Sequence, residues 1–198
     1  VFALNGHFLT GAFNPDGRTL LAEGKMFDAK TGTERLILEG WDRVLGASFS
    51  PDGKNILARC ENGIVRIWDA NTGKIKISMD CFGPDQLNLA VAIAAFSPDG
   101  RTVLTLPGGY NVASSGGPIP IAPVRVWDLA TGNERLAIRG HSDHVCTASY
   151  SPDGKIIFTS SGDGTTRLWN SENGNEMNVP QNGISGPVRC LSFSPDGK

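Results

Sequence analysis

The sequence predicts an all-β chain built from repeated sheets, and three recurring features carry that prediction. A tetrapeptide is written five times, each copy following an aromatic residue: Asn14-Pro15-Asp16-Gly17, Ser50-Pro51-Asp52-Gly53, Ser97-Pro98-Asp99-Gly100, Ser151-Pro152-Asp153-Gly154 and Ser194-Pro195-Asp196-Gly197. After the first four copies comes a second marker, Phe27-Asp28, Trp68-Asp69, Trp127-Asp128 and Trp169-Asn170. A third, glycine-led marker closes the units at Gly6-His7, Gly40-Trp41, Gly140-His141 and the degenerate Gly183-Ile184. The aspartates of the tetrapeptide are spaced by 36, 47, 54 and 43 positions. That range straddles the ~40–45-residue period of a four-stranded propeller blade.

Each element of the unit has a physical reason. In the tetrapeptide, proline presets φ for a type I turn, aspartate bonds to local backbone, and glycine takes the left-handed conformation that reverses the chain. A tight hairpin follows, joining strand a (Ala47-Ser48-Phe49 in the second unit) to strand b (Ile56-Leu57-Ala58). Alternating segments before the second marker, such as Ile64-Val65-Arg66-Ile67 and Thr166-Arg167-Leu168, read as strand c. Turns such as Ala70-Asn71-Thr72-Gly73 then lead into outer strands such as Glu134-Arg135-Leu136-Ala137-Ile138. The charges of these d strands suit an edge that must not pair with a neighbour.

Bulk composition narrows the class of function. The chain has 198 residues, 39% of them hydrophobic, enough for one sizeable core. Lys plus Arg is 18 and Asp plus Glu is 20, interspersed, so no basic face points to nucleic acid or anionic lipid. No apolar run approaches a membrane span. Cys60, Cys81, Cys146 and Cys190 lack paired spacing and read as buried free thiols, which favours a reducing, cytoplasmic setting. Because the chain begins at Val1 and stops directly after the fifth turn, it is expected to be a fragment.

Taken in order, the Gly-His, Pro-Asp-Gly and Trp-Asp markers resemble the WD40 repeat family over essentially the whole chain. The resemblance implies a partial β-propeller: one domain over 1–198 with repeats at about 6–39, 40–81, 82–139 and 140–182 and a truncated fifth at 183–198. Further blades of the same full-length chain would be its neighbours. It also implies a structural polar network in the best-matched unit, formed by His141, Thr159, Asp163 and Trp169. An indole N–H, a hydroxyl and an imidazole buried together each need a partner, so the chemistry is consistent on its own terms.

The other units depart from this pattern. In the second, Trp41, Ala58 and Asn62 replace the histidine, hydroxyl and aspartate, so that blade is expected to rest on apolar packing. The first has only ten residues between Gly17 and Asp28, where the fourth has fifteen between Gly154 and Asn170, and a distorted blade is expected there. The third has 26 residues between Gly100 and Trp127 against 14 between Gly154 and Trp169. Its b–c loop is therefore enlarged, roughly from Pro107 to Pro123, and so is the d–a loop before it, around Cys81 to Gln86. Both loops belong to one rim, so the third blade is expected to raise a partner-binding feature carrying Phe82, Gln86, Tyr110, Asn111 and Ile119.

On the same top rim, Arg43, His144 and Pro187 stand just before strand a, and Glu61 and Gly162 are the corresponding b–c positions. These five form a candidate contact ring.

Chemistry is not favoured. His141, His144 and Cys146 lack the geometry and the fourth ligand of a metal site. Ser142-Asp143-His144 is contiguous and cannot form a relay. The Gly108-Gly109 and Ser114-Ser115-Gly116-Gly117 runs precede no helix that would cradle phosphate. The expectation is a non-catalytic scaffold for proteins or peptides, without metal or cofactor, binding neither nucleic acid nor membrane. Two alternatives stand beside it: a sensor propeller attached to a kinase or NTPase, and an envelope-associated propeller of the TolB kind, which Gly140-His141 and the Trp pairs argue against.

Overall fold

The computed structural model describes residues 11–61, 63–81, 91–108 and 121–177. Among these the chain forms sixteen strands and no helix, gathered in four antiparallel sheets that each follow chain order. The first sheet contains β1 (Gly11–Phe13), β2 (Thr19–Ala22), β3 (Lys25–Asp28) and β4 (Glu34–Ile37). The second contains β5 (Val44–Phe49), β6 (Asn55–Cys60), β7 (Ile64–Asp69) and β8 (Ile75–Asp80). The third contains β9 (Val91–Phe96), β10 (Thr102–Pro107), β11 (Val124–Asp128) and β12 (Glu134–Ile138). The fourth contains β13 (Val145–Tyr150), β14 (Ile156–Ser161), β15 (Thr166–Asn170) and β16 (Glu176–Met177).

The a–b turns repeat atom for atom. In three of them the serine hydroxyl donates to the aspartate at 2.6 Å (Ser50–Asp52, Ser97–Asp99, Ser151–Asp153). The same oxygen accepts the N–H five residues on, from Asn55, Thr102 and Ile156. The closing glycines have φ between 68° and 73°, the left-handed region that glycine enters without a Cβ penalty. At the other end of strand c, the carboxylate or amide of Asp28, Asp69, Asp128 and Asn170 accepts two successive backbone N–H groups, an Asx cap on the c–d turn. The second half of the Trp-Asp pair is thus a turn former.

The core lies between sheets rather than within one. Because side chains alternate across a strand, β6 sends Ile56 and Ala58 toward the first sheet and Leu57 toward the third. Likewise Val103 packs toward the second sheet while Leu104 and Leu106 face the fourth. The three tryptophans hold equivalent places: Trp68 pairs with Ile56, Trp127 with Val103 and Trp169 with Ile157, and each is buried against the preceding sheet. Successive sheets are joined chiefly through β1 with β5, β6 with β9 and β10 with β13. These are four blades side by side, and they do not close a ring.

The first blade is not distorted. Its strands are short, and Glu23 and Gly24, with φ of 46° and 76°, make a two-residue hairpin between β2 and β3. Register is kept from Thr19↔Asp28 to Ala22↔Lys25, so the missing residues come partly off the paired ends of strands b and c and partly out of the loop between them.

Candidate functional site

The fourth blade brings His141, Thr159, Asp163 and Trp169 into one hydrogen-bonded group. Trp169 Nε1 donates to Thr159 Oγ1 at 2.8 Å, and His141 Nε2 lies 2.8 Å from the same hydroxyl. His141 Nδ1 is 3.0 Å from the Asp163 carboxylate, and Thr165 Oγ1 stands 3.1 Å away. Indole can only donate, so the Thr159 oxygen accepts from Trp169; the Asp163 carboxylate can only accept, so the Nδ1 facing it carries a proton. Burial opposes ionisation of Asp163, but donation from the Thr165 hydroxyl, the Ser142 and Thr165 N–H groups and His141 outweighs it and holds the carboxyl well below its usual range. Both ring nitrogens of His141 are occupied by this network.

The corresponding spot differs in every other described blade. In the third, Trp127 donates to the fully buried Thr105 at 2.8 Å. The nearby Cys81 thiol donates to the Met79 carbonyl at 3.8 Å, and burial pushes its pKa up to about 11. In the second, where Ala58 offers no acceptor, Trp68 donates to the Glu39 carbonyl at 2.7 Å and Trp41 packs on it with ring centroids 5.5 Å apart. Apolar packing is therefore supplemented by a backbone bond. Sequence reasoning missed Thr105, although it lies eight residues after its turn serine, as Thr159 and Ala58 do.

Geometry on the rim is shared across blades while chemistry is not. The Glu61 N–H donates to the Arg43 carbonyl, and the Gly162 N–H to the His144 carbonyl, both at 2.9 Å, so the two pairs are structural equivalents. In the second blade this frame carries an exposed Arg43–Glu61 ion pair at 3.4 Å. In the fourth, His144 Nδ1 bonds to Asp143 at 2.8 Å, and a Cβ on Gly162 would lie 2.4 Å from the imidazole. Arg43 has φ of 49°, a left-handed conformation unusual for a non-glycine residue. Pro187, Phe82, Gln86, Tyr110, Asn111, Ile119 and Asn62 lie outside the described residues. The connections of the third blade leave from that rim too, because Pro107, which ends β10, pairs with Val91, which begins β9.

No group of three or more His, Cys, Asp or Glu residues among the described residues is placed to hold a metal ion. Cys60 and Cys81 are buried free thiols and Cys146 is a half-buried one.

Comparison with known proteins agrees with this architecture. The family model described as WD domain, G-beta repeat matches residues 32–69 and 132–170. Each match starts in a c–d turn and ends near the close of the next blade's strand c, so the sequence repeat is staggered by one strand against the sheets. The chain is 27% identical over 179 residues to nuclear distribution protein PAC1 of Arthroderma benhamiae, covering 86% of this chain and 39% of the relative. It is 27% identical over 160 residues to WD repeat-containing protein 82 of Drosophila melanogaster, covering 75% and 44%. With protein groucho of Drosophila melanogaster the identity is 28% over 158 residues, covering 78% and 19%. The chain thus spans less than half the length of these curated relatives. The chain thus carries WD-domain, G-beta repeat matches at 32–69 and 132–170, and the same four-stranded plan recurs in all four sheets, an architecture consistent with WD40 blades.

Proposed function

We propose that the chain is the propeller part of a non-catalytic scaffold, binding other proteins or peptides through the rim from which its b–c and d–a connections emerge. The observation that carries this reading is the pairing of Arg43 with Glu61 and of His144 with Gly162. One backbone frame presents a cation–carboxylate pair in one blade and an imidazole over a bare glycine in another. Rigid, equivalent positions with different side chains give a recognition surface that orders its contacts before a partner arrives. Likeness to other WD-repeat chains supports the same class.

The enlarged connections of the third blade extend this surface in our reading, since they depart from the edge that bears Arg43 and His144. Affinity capture with the full-length protein tests the proposal. His144→Ala combined with Arg43→Asn, where asparagine tolerates the left-handed backbone, is expected to lose partners that wild type retains. Deleting 108–118 is expected to lose at least one. Retention of every partner by both variants would overturn the reading.

A further inference from the structure

One charged side chain breaks the pattern of the blade interfaces. Nine residues after the turn serine, the third and fourth blades have Leu106 and Ser160, both essentially fully buried, whereas the second has Arg59. Its guanidinium crosses from β6 to the next blade. Nη1 donates to the Val91 carbonyl at 3.0 Å and to that of Ala92, while Nη2 reaches back to the Leu45 carbonyl at a long 3.5 Å. An added Cβ at Gly46 would meet Nη2 at 2.9 Å and Nε at 3.2 Å, so the glycine leaves the space that the guanidinium fills.

The surroundings are neutral, with Leu57 and Ile93 beside smaller residues. Gly46, Ala47, Ser48, Ala92 and Ala94 line an open cleft between the second and third blades beside Arg59. Each acceptor that Arg59 reaches among the described residues is a backbone carbonyl, and it takes part in none of the ion pairs among them. A guanidinium half out of water beside carbonyl dipoles alone is stabilised further by any carboxylate within about 4–6 Å, and its planar fork fits one. Leu45, 41% exposed and adjacent in the chain to Gly46, offers apolar area next to the charge.

We infer that this cleft receives an aspartate or glutamate side chain of a bound acidic peptide segment, with Arg59 as its counter-charge and Leu45 as the contact for an aliphatic neighbour. The inference rests on the scaffold reading and adds the chemistry of the ligand. The probes are two fluorescein-labelled octapeptides, alternating Leu-Glu and alternating Leu-Gln, titrated against the full-length protein by fluorescence anisotropy. Wild type is expected to bind the Glu peptide about tenfold more tightly than the Gln peptide, the size of one charge-assisted hydrogen bond. Arg59→Met is expected to erase that ratio, and Arg59→Lys, which keeps the charge without the fork, to retain part of it. If Arg59→Met fails to fold by circular dichroism, the lysine variant decides. Equal binding of both peptides, no binding of either, or an unchanged ratio in a folded Arg59 variant would overturn the inference. Partner capture by the His144/Arg43 double variant is read separately, so loss of partners there alongside a negative peptide titration leaves the scaffold reading standing and removes only the carboxylate site.

Discussion

Thr159 uses one oxygen to satisfy two buried groups, the Trp169 indole and the His141 imidazole. Thr159→Val keeps the volume and strips the partner from the indole N–H and from His141 Nε2, so it is expected to destabilise the full-length protein by about 2–3 kcal/mol in denaturant unfolding. Thr105→Val strands the Trp127 indole, and about 1–2 kcal/mol is expected. Acid stability follows from the same inventory. Hydroxyl and backbone donors lower the folded-state pKa of Asp52, Asp99, Asp153 and Asp163. A carboxyl whose folded pKa lies below its unfolded value, about 3.9, stabilises above that value and loses the contribution as pH falls through the folded pKa. Thermal melts are therefore expected to be flat in this contribution from pH 7 to about 5 and to drop below about 4. Asp163→Asn should shrink that drop; an unchanged acid profile in the variant would contradict the assignment. The His141 set was legible in the sequence because its best unit keeps every member. Glu39 was not, since a carbonyl that substitutes for a side chain leaves no mark on residue identity.

At the scale of the element, the hairpin turns separate two demands on glycine. Gly17 has φ of 68° with nothing within 4 Å of an added Cβ, whereas at Gly24, with φ of 76°, that Cβ would lie 2.4 Å from the Trp41 ring. Gly17→Ala is expected to cost about 1–2 kcal/mol from backbone conformation alone. Gly24→Ala is expected to exceed it by roughly 1–3 kcal/mol, because Trp41 is wedged between two blades and cannot retreat freely. Comparing the two unfolding midpoints checks this, and equal costs would mean that Trp41 yields. Strand order and the turns were legible because Pro, Asp and Gly each have a local reason to be there. The intact first blade was not, because the count between Gly17 and Asp28 reports missing residues without saying whether they come from a loop or from two paired strand ends. The structure takes them from both, shortening the paired strand ends and the loop, and closes the gap with Glu23-Gly24.

For the whole molecule, stability resides in the faces between sheets. Trp127 sits in the cluster that joins the second and third blades, so Trp127→Ala is expected to remove about 3–5 kcal/mol and to uncouple those neighbours. Strands β6 and β10 each lie between two neighbouring blades, which is why β6 reads as a nearly continuous apolar run with Arg59 as its one charged interruption. That interruption, the rim pairs and the third blade's connections are departures from the repeat, and departures are where identical scaffolds acquire different partners. The sequence exposes such positions by comparison between units but carries no record of what they touch. The most direct measurement is hydrogen–deuterium exchange on the full-length protein with and without a captured partner. Protection is predicted at Arg43 to Leu45, at Glu61 and from Ser142 to His144, with the a–b turns around Asp52, Asp99 and Asp153 unchanged. Protection confined to those turns or to the outer d strands would contradict the account.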